Sequence, residues 1–219
     1  MKEKEKNKFN KPEHFENREL SWIQFNKRIM LEAKDKNNLL FERMKFLSIT
    51  ASNLDEFFMI RIASLIDMWH ADYNKRDIAG MTPYEQLEQI IPEAKEFMAE
   101  QSKVFNRSLI PQLDKVGLHL IRHHEDLNEE QAEFVDNYFK RNIYPVLTPM
   151  AVDSSRPFPL IQNKSLNIGA LIQDKKHDDV VDIATVQVPS VLPRIIEVPS
   201  ANEGETDIIL LEEVIERNL

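Results

Sequence analysis

The 219-residue chain contains no cysteine and only four glycines. Without cysteine it can form neither a disulfide bond nor a thiolate metal site, which fits a reducing compartment. The glycines stand far apart, at positions 80, 117, 169 and 204, so the sequence contains neither a GxxxxGK[ST] loop nor a kinase-type glycine loop. The chain therefore lacks both of these phosphate-binding loops.

Long apolar runs and an excess of basic residues are also missing. No apolar run approaches the ~20 residues of a membrane span, and the charged N-terminus, MKEKEKNKFNKPEH, does not resemble a secretory signal. The chain has 28 Lys and Arg against 37 Asp and Glu, a net charge of −9, and no dense basic stripe of the kind that holds a long polyanion. We expect a cytoplasmic protein without a nucleic-acid partner, and peripheral membrane association stays open.

The order of the periodic patterns predicts the fold class. Hydrophobic residues make up 42% of the chain, enough for a core. Helical spacing dominates the first half, and mixed helix and strand patterns follow. We predict an α+β fold with a flexible arm over residues 1–16, an all-α helical bundle over 17–110, and an incomplete mixed α/β second domain over 111–219.

The stretch SITASNLDEFFMIR, residues 48–61, joins two apolar runs through the polar pair Ser52 and Asn53. Glu56 follows Asn53 by three residues, which is the spacing of a capping box. We therefore predict that one helix ends here and that the central helix of the bundle begins at Ser52 or Asn53.

Capping patterns also predict where the other helices of the bundle begin. Ser21 and Gln24 have capping-box spacing and predict a first helix that runs to about Ala33. Thr82, followed by Pro83, marks the start of a long helix. Together with the two central helices, these make a predicted bundle of four helices.

In the second half, the patterns predict short elements. A helix begins at Asn128, with Phe134, Val135, Tyr138 and Phe139 pointing inward, and another begins at Glu212. Proline flanks residues 146–151, which favours an irregular or edge segment. A charged loop over 174–179 is predicted between two strands. The strands are expected at 118–121, 167–172, 181–188, 195–198 and 208–211.

Chemistry-bearing clusters are scarce. His119, His123 and His124 lie close together in the sequence, but two or three imidazoles without a further ligand pattern make a weak metal site. No Ser-His-Asp pattern stands out. From the residues alone, we expect neither a catalytic residue nor a metal site in this chain.

Asn53 is the main candidate for a binding residue. A cap uses only part of its amide, which carries one acceptor and two donor hydrogens, and Asn can pair with the N6/N7 edge of adenine. A purely structural cap is the alternative. Arg61 needs a carboxylate or carbonyl partner such as Glu19 or Glu32, unless it faces a ligand. Trp22 is interpreted as a packing residue.

Three separated motifs resemble one protein family. NRELSWIQFNKRIMLEA and LFERMKFLSITASNLDEFFMIRIASL are similar to the N-terminal domain of the long-chain, phosphohistidine type of polyphosphate kinase, and YPVLTPMAVDSSRPFPLIQNKSLNI is similar to its second domain. The resemblance implies that Asn53 binds the base end of ATP. It also implies reversible transfer of the terminal ATP phosphate to polyphosphate through a phosphohistidine.

The same resemblance implies that this chain is a fragment. The phosphorylated histidine, the Mg²⁺ site and the polyphosphate-binding groups are expected in regions that this chain does not contain, so the fragment alone is expected to be inactive. ATP and ADP are the implied ligands, and the complete protein is expected to form a homo-oligomer through a surface that includes the second domain. A non-catalytic helical protein-interaction module is the alternative function, which a fully buried Asn53 amide would favour.

Overall fold

The structure is a computed structural model that describes residues 10–152, 158–174 and 177–219. It divides into two compact units, Met1–Gln112 and Leu113–Leu219. Among the described residues, the long helices lie in the first unit and the strands in the second. The fold is therefore α+β with an N-terminal helical bundle, as predicted.

The first unit contains long helical rods. A 3-10 turn occupies the exposed residues Pro12–His14, inside the predicted arm, whose residues 1–9 lie outside the described part of the chain. Two five-residue π-helical segments, Phe58–Ile62 and Phe105–Leu109, join helices end to end. The α-helices are α1 (Arg18–Lys34), α2 (Leu40–Phe57), α3 (Ala63–His70), α4 (Pro83–Val104) and α5 (Ile110–Lys115).

The predicted break at Ser52 and Asn53 is wrong. α2 passes through both residues without interruption and continues through the π segment into α3. Buried Leu47, Leu54 and Phe57 lie on either side of the pair and keep one apolar face continuous across it. The bundle described here therefore has three long rods rather than four separate helices.

The predicted start of α1 at Ser21 is also wrong, because Asn17 caps this helix. Asn17 Oδ1 accepts two backbone N–H groups of the first turn, each at 3.0 Å. Its Nδ2 donates to Asp77 Oδ2 at 2.8 Å and to Gln86 Oε1 at 3.0 Å. These distant partners hold a buried cap one turn earlier than the local pattern at Ser21 indicates.

The capping box at Thr82 is confirmed. Thr82 Oγ1 accepts the Glu85 N–H at 3.3 Å, and Glu85 Oε2 accepts the Thr82 N–H at 2.7 Å. The Thr82 N–H, helped by the guanidinium of Arg76, lowers the pKa of the Glu85 carboxyl. α4 thus begins where local chemistry predicts.

A buried arginine ties three parts of the first unit together. Only 1% of Arg43 is exposed. Its Nε donates to the Ala33 carbonyl oxygen at 2.9 Å, in the last turn of α1, where helical carbonyls lack partners of their own. The guanidinium also donates to Ser108 Oγ at 2.8 Å and to Gln112 Oε1 at 3.0 Å. The side chain is satisfied by neutral acceptors inside a core of Ile23, Met30, Leu47, Leu54, Phe57, Ile90, Phe97 and Leu109.

The second unit combines two sheets with two helices. One sheet has strand order β1-β6-β5, with β1 parallel to β6 and β5 antiparallel to it, and the other is antiparallel with order β2-β4-β3. A π segment, Phe139–Ile143, follows α6. The elements are β1 (Leu118–Ile121), α6 (Glu129–Tyr138), β2 (Pro149–Val152), β3 (Asn167–Asp174), β4 (His177–Gln187), β5 (Ile195–Val198), β6 (Thr206–Leu210) and α7 (Leu211–Arg217).

Most predictions for the second unit are confirmed. Asn128 forms the predicted capping box, and the proline-flanked strand β2 lies at a sheet edge. Two details are wrong. Phe134 is 38% exposed and stacks on Tyr138 at the surface. The bounds predicted for a charged loop over 174–179 are wrong, because β3 reaches Asp174 and β4 begins at His177, and residues 175–176 lie outside the described part of the chain.

His119 lies between acidic groups in the second unit. Its Nδ1 is 3.3 Å from Asp114 Oδ1, and its Nε2 is 3.2 Å from Glu205 Oε2, an ion-pair distance without hydrogen-bond alignment. Desolvation lowers the pKa of His119, but the hydrogen bond with Asp114 and the attraction of Glu205 and Asp207 outweigh it. The net effect raises the pKa above its ordinary value of 6.5.

Replacing Arg43 by Met tests the hydrogen bonds by which this side chain connects the rods. The substitution leaves three acceptors without their donor inside the bundle, so we expect the free energy of unfolding to fall by about 3 kcal/mol. Chemical denaturation of the 219-residue chain measures this loss. Arg18→Met, at an exposed position of α1, is the control and is expected to change stability by less than ~0.5 kcal/mol. Equal effects of the two substitutions would contradict the role of Arg43.

The acidic surroundings of His119 predict a pH-dependent contribution to stability. Because its folded-state pKa is raised, the contribution is fully present below the unfolded pKa of about 6.5 and is lost as the pH rises through the folded pKa. We expect the Tm advantage of the wild-type chain over His119→Gln to shrink as the pH rises above about 6.5 and through the raised folded-state pKa. A Tm difference that is constant with pH would refute the prediction.

Candidate functional site

An open pocket lies on the first unit between α1 and the rod formed by α2 and its π segment. Its volume is about 220 Å³. This is smaller than the ~300–1,000 Å³ of pockets that take whole drug-sized ligands, so it fits a flat ring rather than an entire nucleotide. The lining residues are Trp22, Phe25, Asn53, Glu56, Phe57, Ile60 and Arg61.

Aromatic side chains form one part of the pocket wall. Trp22 and Phe57 stack with ring centroids 4.3 Å apart and an interplanar angle of 6°. This stack confirms the packing role predicted for Trp22, and it also gives the pocket a rigid aromatic edge. Phe25 lies one turn further along α1 and is 47% exposed, and the Arg28 guanidinium carbon is 5.7 Å from its ring centroid.

Asn53 is half-buried and lines this pocket from the C-terminal part of α2. It is not a helix cap, so the cap interpretation is wrong. Its Nδ2 donates to Asn26 Oδ1 at 3.1 Å. Among the described residues, no donor lies within hydrogen-bond distance of Asn53 Oδ1, so this oxygen can accept a further hydrogen bond.

Behind Asn53 lies a buried polar network that the sequence reasoning missed. Asn26 is fully buried and donates its Nδ2 to the Thr50 carbonyl oxygen at 3.0 Å. Thr50 is also fully buried, and its hydroxyl donates to the Leu47 carbonyl at 2.6 Å and accepts from Gln101 Nε2 at 2.9 Å. The network therefore links α1, α2 and α4 directly beneath the pocket.

Charged groups of opposite sign complete the lining. Glu56 is exposed, and Arg61 is half-buried within the π segment. Neither of the partners predicted for Arg61, Glu19 or Glu32, lies within ion-pair distance of it. Across residues 10–152, 158–174 and 177–219, no carboxylate does. A π-helical turn shifts the register of the side chains that follow it, and such turns are frequent at functional sites.

The spacing of the lining residues could have revealed the site. Phe25 lines the pocket three positions after Trp22, and the buried Asn26 lies four positions after Trp22, so all three share one face of α1. On the facing rod, Asn53, Phe57 and Ile60 follow one another by four and three positions. This spacing is present in both sequence motifs, but the same spacing is typical of residues that pack in an ordinary helical core.

The three histidines belong to the second unit and not to this pocket. His119 is engaged by Asp114 and Glu205, whereas His123 is exposed. Within the described part of the chain, no group of three or more metal-ligating side chains is placed to hold an ion.

None of the helices in the described ranges combines the length and the apolar composition that crossing a bilayer requires.

Comparison with known proteins gives a consistent result. A family model of the polyphosphate kinase N-terminal domain matches residues 15–121, and a model of the polyphosphate kinase middle domain matches residues 130–219. The polyphosphate kinase of Lactiplantibacillus plantarum is 49% identical over 207 residues, which cover 94% of this chain and 28% of that protein. The polyphosphate kinase of Halalkalibacterium halodurans is 46% identical and is matched over 29% of its length.

A solved structure shares the fold. The crystal structure of polyphosphate kinase from Porphyromonas gingivalis superposes with a TM-score of 0.79 at 26% sequence identity, over 93% of this chain and 30% of that one. The present chain thus spans less than a third of the length of the relatives it matches. The two domain models follow one another and together account for nearly the whole sequence, so the chain belongs to the polyphosphate kinase family and represents its N-terminal and middle region.

Proposed function

We propose that this chain supplies the base end of the ATP pocket in a polyphosphate kinase that reversibly transfers the terminal phosphate of ATP to polyphosphate through a phosphohistidine. Membership of the family supports the reaction class. The observation that carries the pocket assignment is Asn53, whose amide lines a base-sized opening and keeps its oxygen available.

The chemistry of the lining suits a purine. Trp22 and Phe25 offer aromatic surface for contact with a neutral ring, and Asn53 offers a hydrogen-bond acceptor for an exocyclic amino group. Glu56, at the same opening, disfavours a phosphate group there by like-charge repulsion. The base therefore enters this pocket, and the phosphates extend away from it.

Arg61 extends the proposal beyond the base. Its guanidinium is permanently charged, lies at the pocket, and has no carboxylate partner among the described residues. A half-buried cation without a protein anion is best satisfied by an anionic ligand. We assign Arg61 to the ribose-phosphate side of ATP.

The remaining parts of the reaction are assigned to the rest of the polypeptide. Phosphoryl transfer needs metal ions and cations around the transferred group. The described residues offer no cluster of three ligands for Mg²⁺. We assign Mg²⁺, the phosphorylated histidine and the polyphosphate-binding groups to other regions of a homo-oligomeric cytoplasmic enzyme. On this proposal the isolated 219-residue chain binds ATP weakly and has no turnover.

The alternative, a helical interaction module without nucleotide contact, receives less support. It would be favoured by an Asn53 amide sealed inside the protein with both ends occupied. Asn53 is instead half-buried, and only its nitrogen has a protein partner among the described residues.

Asn53→Ala tests the pocket assignment. Loss of one hydrogen bond to the base, about 0.5–1.5 kcal/mol, should raise the KM for ATP about 2- to 10-fold in the complete polyphosphate kinase polypeptide that contains this chain. Steady-state kinetics with varied ATP measures the change.

Gln101→Ala is the matched control for Asn53→Ala. Gln101 belongs to the same buried network through Thr50 but does not line the pocket. It should lower the Tm and leave the KM for ATP unchanged. If Asn53→Ala also lowers the Tm without changing the KM, Asn53 is structural only and the proposed function of this pocket fails.

Arg61→Gln tests the assignment of the anionic end. Removing the guanidinium should raise the KM for ATP about 10-fold, and added salt should weaken ATP binding less in the variant than in the wild type. Arg107→Gln, an exposed arginine in the other π segment of the first unit, is the control and should have no effect. An unchanged KM in Arg61→Gln would remove Arg61 from the site.

A further inference from the structure

The pocket contains a polar side chain whose orientation is fixed from behind. An asparagine amide can normally rotate by half a turn and exchange its oxygen with its nitrogen, which turns an acceptor into a donor. At Asn53 this exchange would decide which bases the pocket accepts. The buried partner of Asn53, Asn26, therefore bears on specificity and not only on stability.

The direction of the hydrogen bonds in this network is set by a group that can only accept. The Thr50 carbonyl oxygen is an acceptor in every state of the protein. Asn26, fully buried and 3.0 Å away, must therefore present its Nδ2 to this carbonyl. Its Oδ1 then points the other way, toward Asn53.

The same constraint passes on to Asn53. Asn26 Oδ1 is also only an acceptor, so the group that faces it at 3.1 Å must be the Nδ2 of Asn53. Asn53 Oδ1 then has the remaining direction, at the pocket. A flipped Asn53 would place its oxygen against the oxygen of the buried Asn26, in a part-buried contact, and would leave both oxygens without a donor.

From this geometry we propose that Asn26 is a positioning residue that sets the base preference of the pocket. It holds Asn53 with its oxygen available to the ligand, which selects a base carrying an exocyclic amino group, such as adenine, over one carrying a carbonyl at the same place, such as hypoxanthine. The inference rests on the proposed function, because it requires that a base enters this pocket.

Inosine triphosphate is the matched probe for this proposal. At the ring edge it replaces the 6-amino group of ATP with a carbonyl oxygen, which repels a fixed Asn53 Oδ1 and would accept from a rotated Nδ2. The wild-type complete polypeptide should prefer ATP over ITP by about 10-fold or more in kcat/KM. A wild-type preference near unity would overturn the proposal.

Asn26→Leu removes both hydrogen bonds of the positioning residue and leaves Asn53 free to rotate. We expect the ATP:ITP ratio of kcat/KM to fall below about 3, with a lower KM for ITP as part of the change. A gain for ITP is the decisive sign, because general destabilisation would weaken both nucleotides alike. Asn26→Ala removes the same hydrogen bonds with less steric demand and gives the same readout if Asn26→Leu does not fold.

Asn26→Asp distinguishes an effect on the orientation of the Asn53 amide from an effect on the stability of the protein. An aspartate, protonated or not, still accepts from Asn53 Nδ2 and holds Asn53 in the same orientation, although its place beside the Thr50 carbonyl lowers the Tm. We expect the ATP:ITP ratio to remain near that of the wild type in this variant. If Asn26→Asp and Asn26→Leu lose the preference in proportion to their Tm values, Asn26 is merely structural and the proposal is wrong.

A double variant distinguishes this inference from the proposed function. In an Asn53→Ala background, Asn26→Leu should cause no further change in the ATP:ITP ratio, since the positioned amide is absent. If Asn53→Ala changes the KM for ATP but Asn26→Leu leaves the ratio unchanged, only the role of Asn26 fails. If Asn53→Ala leaves the kinetics with both nucleotides unchanged, the pocket assignment fails as well.

Discussion

The hydrogen bond from the Asn26 amide to the Thr50 carbonyl oxygen joins α1 to the facing rod, and the candidate site depends on it. Both residues are fully buried, so no water competes for either group. The oxygen of the same Asn26 amide accepts a hydrogen bond from Asn53 Nδ2. One buried side chain therefore holds two helices together and aims the amide that lines the pocket between them.

Buried polar contacts also hold both ends of α1. Arg43 donates to the Ala33 carbonyl at the C-terminal end, and Asn17 caps the first turn at the N-terminal end. Apolar contacts alone allow neighbouring helices to slide, because they have no direction. Directional bonds at Asn17, Asn26 and Arg43 are satisfied in one register of α1, and this register brings Trp22 and Phe25 to the pocket.

Local capping chemistry explains which boundaries could be predicted. At Thr82 and Asn128 both hydrogen bonds of the capping box are made with a residue three positions away, so the local sequence pattern was sufficient to predict where these helices begin. The same pattern failed at Ser21 and at Asn53. Asn17 is bound by groups 60 and 69 positions away, and Asn53 donates to a residue on another helix. The π segments were not predicted either, since their five-residue stretches have no distinct sequence pattern.

By itself, the sequence determined the α+β class, the order of the elements, the resemblance to polyphosphate kinases, and Asn53 as the candidate residue. These depend on residue identity and on spacing within one or two turns. Within the described part of the chain, only the tertiary structure decided that the Asn53 oxygen lacks a protein donor, that Arg61 lies at the pocket without a carboxylate partner, and that Asn26 is the buried partner of Asn53. The physical reason is distance along the chain: Asn26 and Asn53 are 27 positions apart, and only the packing of their helices brings the two amides into contact.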